Sequence, residues 1–367
     1  MSKLQMVDLG RNYRAHKTEI DAAMSAVLEK AAYINGPSVV AFEKALGEWM
    51  GGTNVVSCAS GTEALQVAFM ALGIGTGDEV ITTPFTFVAT VEALVLLGAK
   101  PVFVDIDPKT YNLDIGAVEK RITDRTRAIV PVHLYGQCVE MDPLLALGRK
   151  HNLPIIEDTA QAIGARHKGR QAGVMGEIGC LSFFPAKNLG CFGDGGALTV
   201  RSPELAARCR MIANHGSRIR YQHELVGINS RLDTLQAAVL LAKLPHLQSF
   251  NEGRRRVALA YDVAFKGLPI QTPYVSPDCE HVYQQYTIRT DSRDQLAAFL
   301  KDKDIPSAIH YPRPLHLQEA FTGFVASGET FPEAERASRE VLSLPMFPEM
   351  TDGEIAMVVE AVKGFFE

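Results

Sequence analysis

Between residues 50 and 200, short apolar runs rich in β-branched residues alternate with amphipathic or turn-rich stretches. Val80-Ile81-Thr82, Pro101-Val102-Phe103-Val104, Ala128-Ile129-Val130-Pro131-Val132, Pro154-Ile155-Ile156 and Ala197-Leu198-Thr199-Val200 have the length and composition of buried strands. Leu65, Ala68, Phe69 and Leu72 recur at i, i+3, i+4, i+7, which predicts a helix over residues 63–72, and a second helix is expected over 86–97. Strand and helix alternating in this way predict an α/β fold with a largely parallel sheet covered on both faces. Gly73-Ile74-Gly75-Thr76-Gly77-Asp78 follows a helix rather than a strand, so it reads as a helix-ending turn and not as a dinucleotide-binding loop.

Beyond Leu232 the pattern changes. A helical stretch through Ala237-Ala238-Val239-Leu240-Leu241 meets Pro245, and helical polar residues continue to about Lys266. Pro269, Pro273 and Pro277 punctuate the chain before the strand-like Tyr286-Thr287-Ile288-Arg289. A helix over 294–303, a proline-rich loop over 309–314 and a last helix over 352–366 then suggest a smaller α+β domain. With the boundary near 245–250, residues 1–248 are expected to form a large domain including the N-terminal segment, and 249–367 a small C-terminal one. No repeat, low-complexity tract or flexible linker interrupts the chain.

Charge narrows the function. The 37 Lys and Arg against 42 Asp and Glu leave a net charge of −5. Arg254-Arg255-Arg256 is the one basic run, and it is expected on a solvated helix face, which argues against a nucleic-acid partner. Apolar runs such as Ala93-Leu94-Val95-Leu96-Leu97-Gly98-Ala99 fall far short of the ~20 residues of a membrane span. Met1-Ser2-Lys3-Leu4-Gln5 lacks the features of a signal peptide and the C-terminus those of a lipidation or retention signal, so the expected location is the cytoplasm. Six cysteines without a C-x-x-C pair suit reduced, buried thiols, and no metal site is expected.

Three segments carry chemistry. In Ser57-Cys58-Ala59-Ser60-Gly61-Thr62-Glu63, a strand runs into a helix through small residues. Ser60 and Glu63 have capping-box spacing, and the N–H groups of Gly61 and Thr62 could hold a phosphate, although any helix can begin this way. Ile155-Ile156-Glu157-Asp158-Thr159-Ala160-Gln161 ends a hydrophobic strand in two acids, where Asp158 either faces a ligand or caps a helix. In Ser182-Phe183-Phe184-Pro185-Ala186-Lys187-Asn188-Leu189-Gly190-Cys191-Phe192-Gly193-Asp194-Gly195-Gly196, one lysine sits in an aromatic, glycine-rich turn. Desolvation there would lower its pKa and make it a better amine nucleophile, whereas a lysine elsewhere is a solvated charge.

Together with Tyr33-Ile34-Asn35-Gly36-Pro37, Thr83-Pro84-Phe85-Thr86-Phe87-Val88-Ala89-Thr90, Gly227-Ile228-Asn229-Ser230-Arg231-Leu232-Asp233 and His310-Tyr311-Pro312, these segments make nearly the whole chain resemble the DegT/DnrJ/StrS family of pyridoxal-phosphate-dependent sugar aminotransferases. Within that family it is most similar to the UDP-2-acetamido-2-deoxy-3-oxo-glucuronate aminotransferases. The resemblance implies the aspartate-aminotransferase fold (fold type I), with a large mixed-sheet α/β/α domain and a smaller α+β domain, and pyridoxal 5′-phosphate as cofactor. It implies that Lys187 binds the cofactor aldehyde and then shuttles a proton, and that Asp158 pairs with the pyridine nitrogen. Gln161 would bond the ring hydroxyl, Phe87 stack on the ring, and Gly61, Thr62 and Ser182 hold the phosphate. Asn229 would reach the phosphate of a neighbouring subunit, which implies a homodimer with shared sites. Arg231, His310 and Tyr311 are expected near the substrate. On their own terms Phe87 could equally be core, Asn229 a turn residue, His310 a satisfied loop histidine and Arg231 an interface contact.

The implied activity is transfer of an amino group from L-glutamate to a keto group of a nucleotide-linked sugar, at C3 of a UDP-N-acetyl-hexuronate, for a cell-surface polysaccharide such as lipopolysaccharide O-antigen. Lys187 stands where dehydratases of the family carry histidine, which favours transamination. Amination of a keto-6-deoxy sugar and a cofactor-binding regulator without turnover are the alternatives. A nicotinamide oxidoreductase is disfavoured because no G-x-G-x-x-G follows a strand.

Overall fold

The computed structural model describes residues 4–367; Met1, Ser2 and Lys3, which open the expected large domain and the segment read for targeting signals, lie outside the described residues. Among those described, seven strands make one sheet. Its order from edge to edge is Asn54–Cys58, Gly196–Val200, Ile178–Ser182, Ile156–Asp158, Thr126–Ile129, Glu79–Thr82 and Lys100–Phe103. Pairing is parallel except at Gly196–Val200, which runs antiparallel to both of its neighbours. The sheet is mixed, as fold type I requires.

The strands expected at 128–132 and 154–156 are displaced, to Thr126–Ile129 and Ile156–Asp158. Pro131 and Pro154 lack the N–H that a continuous ladder needs. The extended chains stay joined through the Asp158 N–H to the Pro131 carbonyl (2.9 Å) and the His133 N–H to the Asp158 carbonyl (3.0 Å).

Successive strand residues face opposite sides, and each side meets helices. Val56, Cys180 and Leu198 pack with Ala64, Ala68 and Ile212 of the helices Gly61–Ala71 and Pro203–Ala213. Val55, Leu181 and Ala197 pack instead with Phe42, Leu46 and Leu240 of Pro37–Trp49 and Thr234–Lys243. The helix expected over 86–97 is shorter, Ala89–Val95, because residues 86–88 bend toward the cleft described below. The helix expected over 63–72 is Gly61–Ala71.

A second core gathers around the antiparallel pair Tyr286–Arg289 and Val341–Leu344, with the helices Arg293–Asp302 and Asp352–Phe366. The helix Leu247–Ala264 serves both cores: Leu247 packs beside Leu240 and Leu244, whereas Val257, Ala258 and Tyr261 lie in the second. Its buried stripe includes Phe250, Asn251 and Arg254. The basic triplet is therefore not a uniform solvated face. Arg256 is exposed, but Arg254 is three residues from Asn251 and turns inward. Five cysteines are buried and Cys279 is half-buried, all unpaired. Among the described residues, no helix is long and apolar enough to cross a membrane.

The segment before the first sheet strand reaches back to the second core. Leu4 is part of it, the Met346 N–H donates to the Met6 carbonyl at 3.1 Å, and the Arg11 guanidinium bonds both Glu354 oxygens at 2.7 and 2.8 Å. The Arg11 bond, with help from Thr351 against burial, pulls the Glu354 carboxyl down to about 2. A carboxylate depressed in the folded state stabilises above its ordinary pKa and loses that contribution as pH falls through the folded value. Arg11→Ala is thus expected to cost roughly 1 kcal/mol at pH 7, solvent screening included. Melting curves should show the gap to wild type closing between pH 4.5 and about 2.

Candidate active site

Four strand ends meet at one edge of the sheet. The strand Asn54–Cys58 leads to Ser60, whose Oγ accepts the Glu63 N–H at 3.1 Å and caps the helix Gly61–Ala71. The reciprocal arm of a capping box is not made; Glu63 Oε2 is buried without a partner. The start of this helix is pressed against neighbouring strands: a Cβ on Gly61 would lie 2.7 Å from Ser182 Cβ, and one on Gly196 only 2.3 Å from the Ser60 carbonyl oxygen. Small residues therefore let the first-turn N–H groups and the Ser182 hydroxyl share one spot, an anion cradle.

The adjacent acids on Ile156–Asp158 point to opposite faces and do different work. Glu157 accepts N–H groups from Gly173, Met175 and Gly176 at 2.8, 2.7 and 2.6 Å and bonds His133 Nε2 at 2.8 Å. His133 Nδ1 accepts the Val139 N–H at 3.0 Å, which leaves its proton on Nε2, toward Glu157. Burial acts to raise the Glu157 carboxyl, but His133 and these N–H groups outweigh it and hold it below the ordinary range. Glu157 is a structural anion.

Asp158 faces the cleft. Its Oδ2 accepts the Thr90 hydroxyl at 2.8 Å and its Oδ1 the Ala160 N–H at 3.2 Å. Thr90, its proton given to Asp158, receives one from Thr86 at 2.9 Å. No helix starts here, so the helix-cap reading fails; the chain turns through 159–161. Burial raises the Asp158 carboxyl, opposed by Thr90, the Ala160 N–H and Lys187.

Lys187 lies in the turn after Phe184, its N–H on the Phe184 carbonyl at 2.8 Å. Burial lowers its amine to about 8, with the Asp158 charge opposing. Gln161 is oriented at both ends: Oε1 accepts the Tyr135 N–H at 2.7 Å and Nε2 donates to the Tyr311 hydroxyl at 3.0 Å. Phe87, 54% exposed, stands at the lip with its ring 6.3 Å from that of Tyr311, so it is not core. His310 Nδ1 bonds the Ser343 hydroxyl at 2.9 Å, and burial, then Lys187, push its imidazole down to about 4. It is neutral at physiological pH.

A cleft of about 560 Å³ gathers Gly61, Thr62, Phe87, Asp158, Gln161, Ser182, Lys187, His310 and Tyr311. Asn229 and Arg231 do not line it. Asn229 is exposed, bridged to Asn214 in the segment before Thr234–Lys243. Glu92, Gln284 and Gln285, which belong to none of the sequence motifs, and Thr86 and Asp194, which do, also line the cleft, and Lys187 is its one Lys or Arg among the described residues. Thr90 was visible only as part of a motif; its bond to Asp158 spans 68 positions, and no local pattern encodes that.

These groups fit pyridoxal 5′-phosphate: a cradle with no room for a Cβ, an amine near neutrality and a buried carboxylate. When bound, that group supplies an aldehyde and an electron-withdrawing pyridinium ring.

A family model described as the DegT/DnrJ/EryC1/StrS aminotransferase family matches residues 14–363. The chain is 46% identical to the UDP-2-acetamido-2-deoxy-3-oxo-D-glucuronate aminotransferase of Pseudomonas aeruginosa, over 98% of this chain and 99% of that one. It is 43% identical to the dTDP-3-amino-3,4,6-trideoxy-α-D-glucose transaminase of Streptomyces venezuelae, over 100% and 97%. The crystal structure of NtdA from Bacillus subtilis with bound cofactor PMP superposes with a TM-score of 0.93 at 31% identity, covering 100% of this chain and 86% of that one.

Thr90→Val keeps the shape of the side chain but leaves Asp158 Oδ2 without its donor. It is expected to cost roughly 1 kcal/mol of stability, read by melting, and to slow single-turnover amination about tenfold. Gly61→Ala forces the helix start away from Ser182. Equilibrium titration should show cofactor affinity at least about tenfold weaker, with Lys187 still reactive.

Proposed function

The chain belongs to the DegT/DnrJ/EryC1/StrS aminotransferase family, and from that premise we propose that it moves an amino group from L-glutamate to the C3 keto group of UDP-2-acetamido-2-deoxy-3-oxo-glucuronate. The observation that carries the aminotransferase reading is one cleft holding the Lys187 amine, the Asp158 carboxylate and the helix-start cradle. The choice of sugar is supported by the Pseudomonas relative. The setting is the cytoplasm, in synthesis of a cell-surface polysaccharide such as lipopolysaccharide O-antigen.

Each residue has a task in this reading. Gly61, Thr62 and Ser182 anchor the phosphate, using N–H groups and a hydroxyl fixed before binding. Asp158 would hold a proton on the pyridine nitrogen, the state in which the bound cofactor can serve as an electron sink. Gln161 holds the ring hydroxyl and Phe87 covers the ring face. Lys187, with a substantial neutral fraction near pH 8, would be the amine that holds the cofactor through its aldehyde and the base that accepts the proton from the substrate carbon and gives it up again from the same face. Tyr311, tied to Gln161, and neutral His310 form the wall that the sugar meets.

A hexuronate carries a carboxylate, and among the described residues the cleft of one chain offers no Lys or Arg beyond Lys187. Arg231 of a second copy would supply the guanidinium, and Asn229 beside it the remaining phosphate contact, in a homodimer with shared sites. The Streptomyces relative favours a second reading, a neutral keto-6-deoxy sugar, for which no such cation is needed.

The test is a panel of nucleotide keto sugars offered with L-glutamate, the new amine located by NMR; glutamate that fails to convert the bound cofactor in the absence of sugar would support a regulator instead. Lys187→Ala is expected to abolish turnover with folding intact, and wild-type-like turnover would sink the assignment. Mixing Lys187→Ala chains with Asn229→Ala chains, each inactive, should restore activity through heterodimers with one intact site. No recovery despite proven subunit exchange counts against shared sites. Arg231→Ala should impair the uronate selectively; equal loss on neutral sugars makes Arg231 structural.

A further inference from the structure

The two residues that flank Lys187 are both tied to one turn of the helix Leu247–Ala264. On one side, Asn188 Nδ2 donates to Asn251 Oδ1 at 2.7 Å and to the Val282 carbonyl at 3.1 Å. On the other, the Ala186 carbonyl accepts from Gln284 Nε2 at 3.4 Å. The backbone around Gln284 is held in turn by Arg254, whose Nη1 donates to the carbonyls of Tyr283, Gln284 and Met346 at 3.1, 3.2 and 3.1 Å. Asn251 and Arg254, three positions apart, are neighbours on one helix face.

Asn251 also reaches the far wall of the cleft. Its Nδ2 donates to the Ile163 carbonyl at 3.2 Å, two residues beyond Gln161. The approach is close enough to dictate the neighbouring residue: Gly164 has φ +86°, and a Cβ there would lie 2.5 Å from Asn251 Nδ2.

Asn188, Asn251 and Arg254 are all buried, where a polar side chain costs stability unless it is bonded, and an apolar residue would fill the same space without that demand. None of the hydrogen bonds just described involves Asp158 or the Lys187 amine. What they hold is the backbone on either side of Lys187. A lysine amine sits at the end of a flexible four-carbon stem, so its direction is only as defined as the backbone that carries it.

We infer that Asn251 is a positioning residue for Lys187: through Asn188 and Ile163 it locks the lysine turn against the segment that carries Gln161, while Arg254 holds the opposite flank through Gln284. The inference rests on Lys187 being the reacting amine. The helix that joins the two cores thereby sets the geometry of the reaction, although it contributes no lining residue to the cleft.

The test combines two measurements. In the cofactor-free chain, trinitrobenzenesulfonate labelling of Lys187 is followed by mass spectrometry across pH; in the loaded enzyme, kcat and the KM for L-glutamate are measured. Wild-type Lys187 is expected to label with a midpoint near pH 8. In Asn251→Ala the freed turn lets water reach the amine, so the midpoint should rise by about one unit. Its kcat should fall about tenfold with KM within about twofold. Asn188→Leu, which breaks the same bond from the other end and fills its own space, should reproduce both effects, and the double variant should add little to either single one.

A folded Asn251→Ala chain with a lower melting temperature but the wild-type midpoint and kcat overturns the inference, since a merely structural residue behaves that way. If Asn251→Ala does not fold, the same outcome in Asn188→Leu overturns it equally. Failure of the underlying reading looks different: wild-type Lys187 would then label no more readily than surface lysines, or Lys187→Ala would stay active.

Discussion

An amine and a carboxylate withdrawn from water into one cleft are the constraint on which this molecule turns. Burial alone pushes Lys187 and Asp158 toward their neutral forms, and each charge partly restores the other. A close ion pair would quench the amine. The fold avoids this by giving Asp158 other partners, the Thr90 hydroxyl and the Ala160 N–H, and by placing Lys187 on a different strand connection. Glu157 shows the other solution to the same problem: with three N–H groups and a histidine on it, a buried carboxylate becomes an anchor without reactivity.

Much of this was legible in the sequence because it rests on local patterns. The alternation of short apolar runs with helical periodicity announced the α/β sheet, and the prolines at 131 and 154 account for the strand ends that moved. Lys187 stood out by its aromatic, glycine-rich surroundings and Asp158 by its place at a strand end. What stayed hidden depends on contacts between distant segments. A run of two acids does not say which one faces the cleft; that follows from the strand's two-residue period once one partner is fixed.

Arg254 was hidden for a different reason. Three consecutive arginines look like solvent-facing charge, and only the helical phase relative to Phe250, Asn251 and Val257 separates the buried one from Arg256. Its cost is met by carbonyls rather than by an acid, in segments 30 and 92 residues downstream that no sequence window would connect to it. Asn229 and Arg231 are a case apart: in one chain Asn229 is exposed and Arg231 half-buried, and neither lines the cleft, so nothing within a single chain ties them to it.

The reversed strand Gly196–Val200 bears on the order in which the cleft comes together. Because it runs antiparallel to Ile178–Ser182, the lysine turn is a hairpin connection closed by the Phe183 N–H on the Gly195 carbonyl at 2.7 Å. The parallel strands, by contrast, are joined by crossovers that must wrap a whole helix or longer excursion around the sheet before they pair. Short-range closure costs less chain entropy and proceeds faster than long-range pairing. The turn bearing Lys187 thus belongs to the piece of sheet with the most local contacts, whereas the Asp158 wall and the helix behind Asn251 arrive through distant ones. Topology of this kind favours early closure of the Lys187 turn, with the segments that shield it from water joining through longer-range contacts.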